Sequence, residues 1–129
     1  MSGQEIPPEE IVEVGAVVNE ITDFLKKKGV EFDLSYEKES PEARIEIKGD
    51  LNYDDLDEYL RSRNMYNVNG SLNKTAEYAY YEAGFGTEEW EREIDLDNKV
   101  KLFADYYYEN DKSYVTSIWV VAYHYYKNL

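Results

Sequence analysis

Hydrophobic or small residues recur every three to four positions near the start of the chain, at Ile11, Val14, Gly15, Val18, Ile21 and Leu25. This spacing predicts a helix with one apolar stripe. Pro7-Pro8 and Glu9-Glu10 mark its start, because proline suits a first turn and carboxylates suit the positive helix end. Lys26-Lys27-Lys28 suit the negative end, and Gly29 supplies the stop. The period then falls to two. Val30, Phe32, Leu34 and Tyr36 alternate with Glu31, Asp33, Ser35 and Glu37. After a turn over 38–42, Ala43, Ile45 and Ile47 alternate with Arg44, Glu46 and Lys48. The pair predicts a hairpin with one wet face.

Gly49-Asp50 ends the hairpin. Asp50 or Asn52 caps a second helix running to about Arg63, with Tyr53, Leu56 and Leu60 as its stripe. Residues 64–74 read as an irregular connector with a short strand over 65–68, followed by a strand over 75–83 and a break at Gly84-Phe85-Gly86. Over 88–96, Trp90 and Ile94 fit a helix, but a longer alternation favours a strand. It sets Trp90, Arg92, Ile94 and Leu96 against Glu89, Glu91, Glu93 and Asp95. Turns at Asp97-Asn98 and Asn110-Asp111 delimit further strands over 99–109 and 113–126. The last strand is apolar on both faces, with Ile118, Val120 and Ala122 on one and Trp119, Val121 and Tyr123 on the other. One face is expected on the helices; the other meets a second subunit or carries exposed tyrosines. The expected fold is α+β, a single domain over 1–129 with 1–7 flexible. Two helices pack on a predominantly antiparallel sheet of about five or six strands, in the order α-β-β-α and then a β meander.

Composition narrows the chemistry. The chain of 129 residues has no cysteine, one histidine, 28 acidic and 14 basic side chains, and a formal charge of −14. A disulfide scaffold and a cysteine-ligated metal are excluded. Direct nucleic-acid binding lacks its basic footprint. No run approaches the ~20 apolar residues of a membrane helix. Met1-Ser2-Gly3-Gln4-Glu5 shows no basic region followed by an apolar one, so a cytoplasmic location is expected.

Catalytic patterns fail on inspection. Gly70-Ser71-Leu72-Asn73-Lys74-Thr75 ends like a phosphate loop, but Asn73 stands where glycine is required and Val68 where the earlier glycine belongs. Gly84-Phe85-Gly86 is too short for a dinucleotide fingerprint and reads as a turn. His124 stands alone in Tyr123-His124-Tyr125-Tyr126, which suits a structural or interface histidine rather than a triad or zinc site. Glu88, Glu89, Glu91, Glu93 and Asp95 offer Mg²⁺ or acid–base chemistry as an alternative, but no calcium-loop register occurs, and alternating acids are more simply a solvated face. The expectation is no catalytic residue, no metal and no cofactor.

The fourteen tyrosines change the picture. Tyrosine joins contact area to a polar tip and is favoured at protein interfaces. An acidic rim around aromatic anchors predicts a basic, nucleic-acid-binding protein partner, with carboxylates in place of phosphates. Asp54, Asp55, Asp57, Glu58, Glu89, Glu91, Glu93 and Asp95 are the candidate rim. Tyr106, Tyr108, Trp119, Tyr123 and Tyr125 are the candidate anchors. A homo-oligomer (in its simplest form a homodimer) and an acid-dependent metal enzyme are the competing readings.

Four features stand together over 88–127: Glu89-Trp90-Glu91, Ala104-Asp105-Tyr106-Tyr107-Tyr108, the turn Asn110-Asp111-Lys112, and the aromatic run through Trp119, His124 and Tyr125. In these the chain resembles the small type I-D anti-CRISPR proteins of viruses infecting hyperthermophilic archaea. The resemblance implies a compact ferredoxin-like or related fold, often dimeric. It also implies inhibition by binding the large subunit of the type I-D interference complex.

Overall fold

A computed structural model describes residues 5–62, 72–73, 80–81, 88–96 and 98–129, with the backbone alone at 72–73, 80–81 and 88–89. Helix α1 (Pro8–Lys28) buries Val14, Val17, Val18, Ile21 and Leu25 along one stripe. Gly29 ends it with a left-handed φ of 73°, and its N–H bonds back into the last turn. A side chain there would be strained, which is why glycine stops the helix. Strands β1 (Phe32–Ser35) and β2 (Glu42–Ile47) form the expected antiparallel hairpin, with Phe32 opposite Ile47 and Ser35 opposite Arg44. Helix α2 (Tyr53–Ser62) is capped by Asn52, whose Oδ1 accepts the Asp54 N–H at 2.7 Å. Its apolar residues Tyr53, Leu56 and Leu60 turn inward.

The remaining strands are β3 (Leu72–Asn73), β4 (Tyr80–Tyr81), β5 (Glu88–Leu96), β6 (Val100–Glu109) and β7 (Lys112–Ala122). Their spatial order is β1-β2-β7-β6-β5-β3, with β4 also pairing β5, and every pairing is antiparallel. The fold is α+β and carries the expected meander. The expected strand over 65–68, most of that over 75–83, the Gly84-Phe85-Gly86 break and Asp97 lie outside the described residues.

Alternation sorts the sheet into two faces. Ile45, Ile118, Ala104 and Arg92 line up across β2, β7, β6 and β5 on the helix side, beside Ala43, Val120, Leu102 and Ile94. Helices α1 and α2 cover this side and pack on each other, with Phe24 stacked on Tyr59 at 4.2 Å. A bulge in β7 near Thr116 shifts the register, so that Tyr106 faces Val115.

The last strand stops earlier than its composition suggests. It ends at Ala122, and Tyr123–Lys127 form a short helix, α3. The physical reason is partnership. Ala122 opposite Val100 is the last β6–β7 pair, and the Tyr123 N–H then bonds to the Lys99 carbonyl at 2.9 Å. Beyond it the buried carboxylate of Glu10 in α1 accepts the His124 N–H at 3.0 Å, 114 residues away in sequence. A strand edge without a neighbour gains less than a helical turn whose first amide is capped by a charge. Helix α3 therefore wraps the end of the sheet. Tyr126 lies over Phe103 and Trp119, with ring centroids at 5.3 and 6.0 Å. The second face of β7, expected to meet a subunit or lie exposed, is in part covered by its own chain, and Val121 is fully buried.

Candidate functional site

The sheet face away from α1 and α2 gathers polar and aromatic groups from five strands. Register places Asp33, Glu46, Ser117, Asp105 and Glu91 in one row across β1, β2, β7, β6 and β5. The next row runs Ser35, Arg44, Trp119, Phe103 and Glu93. Neighbouring strands lie about 4.8 Å apart, so each row brings its side chains within reach of one another.

Three interactions organise this face. The Arg44 guanidinium stacks over Trp119 at 4.7 Å, while the indole N–H donates to the Glu42 carboxylate at 2.7 Å. Trp119 in turn stacks on Phe103 at 5.1 Å. Arg44 is exposed and forms no ion pair among the described residues. Beside it, a groove of about 390 Å³ is lined by Asp33, Ser35, Arg44, Glu46 and Ser117.

The second interaction is an ion cluster. Lys101 in β6 donates to Glu93 and, at 2.7 Å, to Asp95, both on β5. Lys101 and Glu93 are only 8% and 7% exposed. The rings of Tyr123 and Tyr126 roof the ammonium at 5.9 and 5.4 Å. Burial alone would lower the Lys101 pKa, but the hydrogen bonds to Asp95 and Glu93 and the charges of these two acids together outweigh it and raise the value.

The third is a pair of acids. Glu91 on β5 and Asp105 on β6 stand directly opposite each other. Burial raises the Glu91 pKa, and the charge of Asp105 raises it further. Burial likewise raises Asp105, against a hydrogen bond from the Ser117 hydroxyl at 3.1 Å.

The candidate residues distribute unevenly over these features. Asp54, Asp55 and Glu58 are exposed on α2, with Asp55 3.6 Å from Lys28. Asp57 accepts from Arg61 at 3.0 Å. Glu91, Glu93 and Asp95 reach the open face, where Lys101 holds the last two; the Glu89 side chain lies outside the described residues. Trp119 is central to that face. Tyr123 borders it, and Tyr125 turns against the core. Tyr108 is half exposed and meets Tyr106 edge-on at 5.8 Å. Tyr106 itself is 1% exposed, stacks on Tyr53 at 4.5 Å and accepts from Arg92 at 3.4 Å. It points to the helices and serves the core. Arg44, Lys101, Phe103, Asp105 and Tyr126 were not singled out from the sequence. The alternation of β2 and β6 carried the signal for the first four, but only the strand order shows which rows they join.

His124 has a structural task. Its ring Nδ1 lies 2.6 Å from the same Glu10 carboxylate that caps its backbone, tying α3 to α1. Among the described residues, no group of three or more His, Asp and Glu is placed to hold a metal ion. Among them too, no helix is long and apolar enough to cross a membrane. Comparison with family models, with curated proteins and with solved structures finds no match in any of the three.

Proposed function

We propose that this protein is a non-enzymatic binding protein whose acidic surface occupies a basic, nucleic-acid-binding groove of a protein partner and inhibits it. One observation carries the reading: the open sheet face presents carboxyl groups from β1, β2, β6 and β5 beside a stacked Arg44–Trp119–Phe103 ladder. Carboxylates speed encounter with a basic surface and orient it. Aromatic faces supply desolvated contact area. The formal charge of −14 extends the same attraction over the whole molecule. The resemblance over 88–127 makes a CRISPR interference complex in a host cytoplasm the first target to test.

The experiment immobilises the protein and adds purified basic subunits of nucleic-acid-handling complexes at low ionic strength. Retention is expected, with release as salt rises and displacement by added nucleic acid. Glu46→Lys and Trp119→Ala should each weaken it. Failure to retain any basic subunit at low salt would refute the proposal.

A further inference from the structure

We propose that the free edge of β1 is a docking site for an extended segment of the partner, one that alternates apolar and basic residues and adds to the sheet as a further strand. This rests on the reading of the protein as a binder of basic partners.

Strand β1 pairs only with β2, so its outer edge has no neighbouring strand among the described residues. The Lys48 N–H bonds to the Glu31 carbonyl at 2.8 Å, and the Ala122 N–H to the Pro41 carbonyl at 2.8 Å. By antiparallel alternation, Glu31, Asp33 and Ser35 spend their backbone groups on β2, while those of Phe32 and Leu34 point outward. The Leu34 side chain lies on the apolar face of the sheet yet is 42% exposed, since among the described residues no helix covers it. Beyond it lies a groove of about 580 Å³ between the first half of α1 and the end of β1. It is lined by Ile6, Ile11, Val12, Gly15 and Tyr36, with Val12 71% exposed. An added strand would lay alternate side chains into this groove.

Charge selects the occupant. Glu31, Asp33, Glu37 and Glu39 are exposed along the edge, against Lys38 in the same stretch and Lys48 at 3.8 Å from Asp33. A second copy would set acids against acids across the new pairing, which destabilises it. A basic side chain on the open-face positions of an incoming strand meets Asp33 instead. Gly15 keeps the groove's floor low: a Cβ there would stand 3.1 Å from the Tyr36 hydroxyl.

The test uses the full chain and a fluorescent peptide of roughly six residues, the length of an ordinary strand, alternating valine and lysine. Binding is read by anisotropy, and hydrogen exchange is followed at the Phe32 and Leu34 amides. Binding with slowed exchange at those amides is expected. Val12→Asp, on an exposed position that leaves the fold intact, should weaken it by about tenfold, as should Leu34→Pro, which removes an outward N–H. A peptide N-methylated on alternate residues, or one with glutamate for lysine, should bind at least about tenfold more weakly. Equal binding by Val12→Asp, by the N-methyl peptide or by the glutamate peptide overturns the docking site. So does unchanged exchange at Phe32 and Leu34. If basic subunits are still retained in that case, only the edge assignment falls; if they are not, the functional reading falls with it.

Discussion

Lys101 shows how one side chain decides the character of a surface. Its ammonium converts Glu93 from a solvated acid into a buried ion-pair member. Removing one partner of a buried pair leaves the other uncompensated, so Lys101→Met should cost about 3 kcal/mol or more. Adding Glu93→Gln should restore part of that loss, a coupling that a double-mutant cycle of denaturant midpoints would read. The Glu91–Asp105 contact behaves in the opposite sense. Both pKa values are raised by burial, so the folded chain holds protons that the unfolded chain gives up near pH 4. Its contribution is therefore greatest at low pH and falls as pH rises from about 4 through the raised values. Asp105→Asn removes the Asp105 share of that dependence and eases the Glu91 share. It should raise stability at pH 7 relative to pH 4 by about 1 kcal/mol after solvent screening, measured by denaturation at the two values.

At the scale of elements, α3 and the β6–β7 hairpin make separate demands. Glu10→Ala removes the acceptor of the His124 amide and frees α3 from α1. A loss of about 1–3 kcal/mol is expected, with faster exchange over 123–127 and a shift in Trp119 fluorescence. The hairpin turn holds Asn110 and Asp111 at φ of 54° and 65°. Such a turn favours glycine at its second position. Relief of left-handed strain, about 1 kcal/mol, exceeds the added unfolded-state entropy, so Asp111→Gly should raise the unfolding free energy by about 0.5 kcal/mol, read as a higher denaturation midpoint. These elements also show what could be read in advance. The stripe of α1, its stop at Gly29, the β1–β2 hairpin and the 88–96 strand follow from local spacing, because each is decided within a few residues. The end of β7 does not. Tyr123-His124-Tyr125-Tyr126 has strand-forming residues, and only Glu10, 114 residues away, favours the helix. The candidate site was half legible for the same reason. Alternation puts the acids of β5 on one face, but which of them Lys101 neutralises depends on strand register. Tyr106 looked like a surface ring because nothing local reveals that Tyr53 lies above it.

For the whole molecule, the charge of −14 opposes itself in the folded state. Salt should raise the melting temperature of the free protein while weakening its complex with a basic partner, two opposite trends from one screening length. Calorimetry of the free chain and binding titrations over the same salt series would check both. A final consequence lies in the strand order. The strand at the middle of the sheet, β7, is synthesised after every other described strand, and it joins β2 across about 77 residues of chain. Until it arrives, β2 and β6 each present a raw edge, and the N-terminal hairpin has no sheet to belong to. Folding of this protein should accordingly be slow for its size and sensitive to crowding during translation, since closure of that long loop must precede most of the core. A nascent chain stalled before residue 112 is the form most exposed to edge-to-edge aggregation, and to capture by a chaperone.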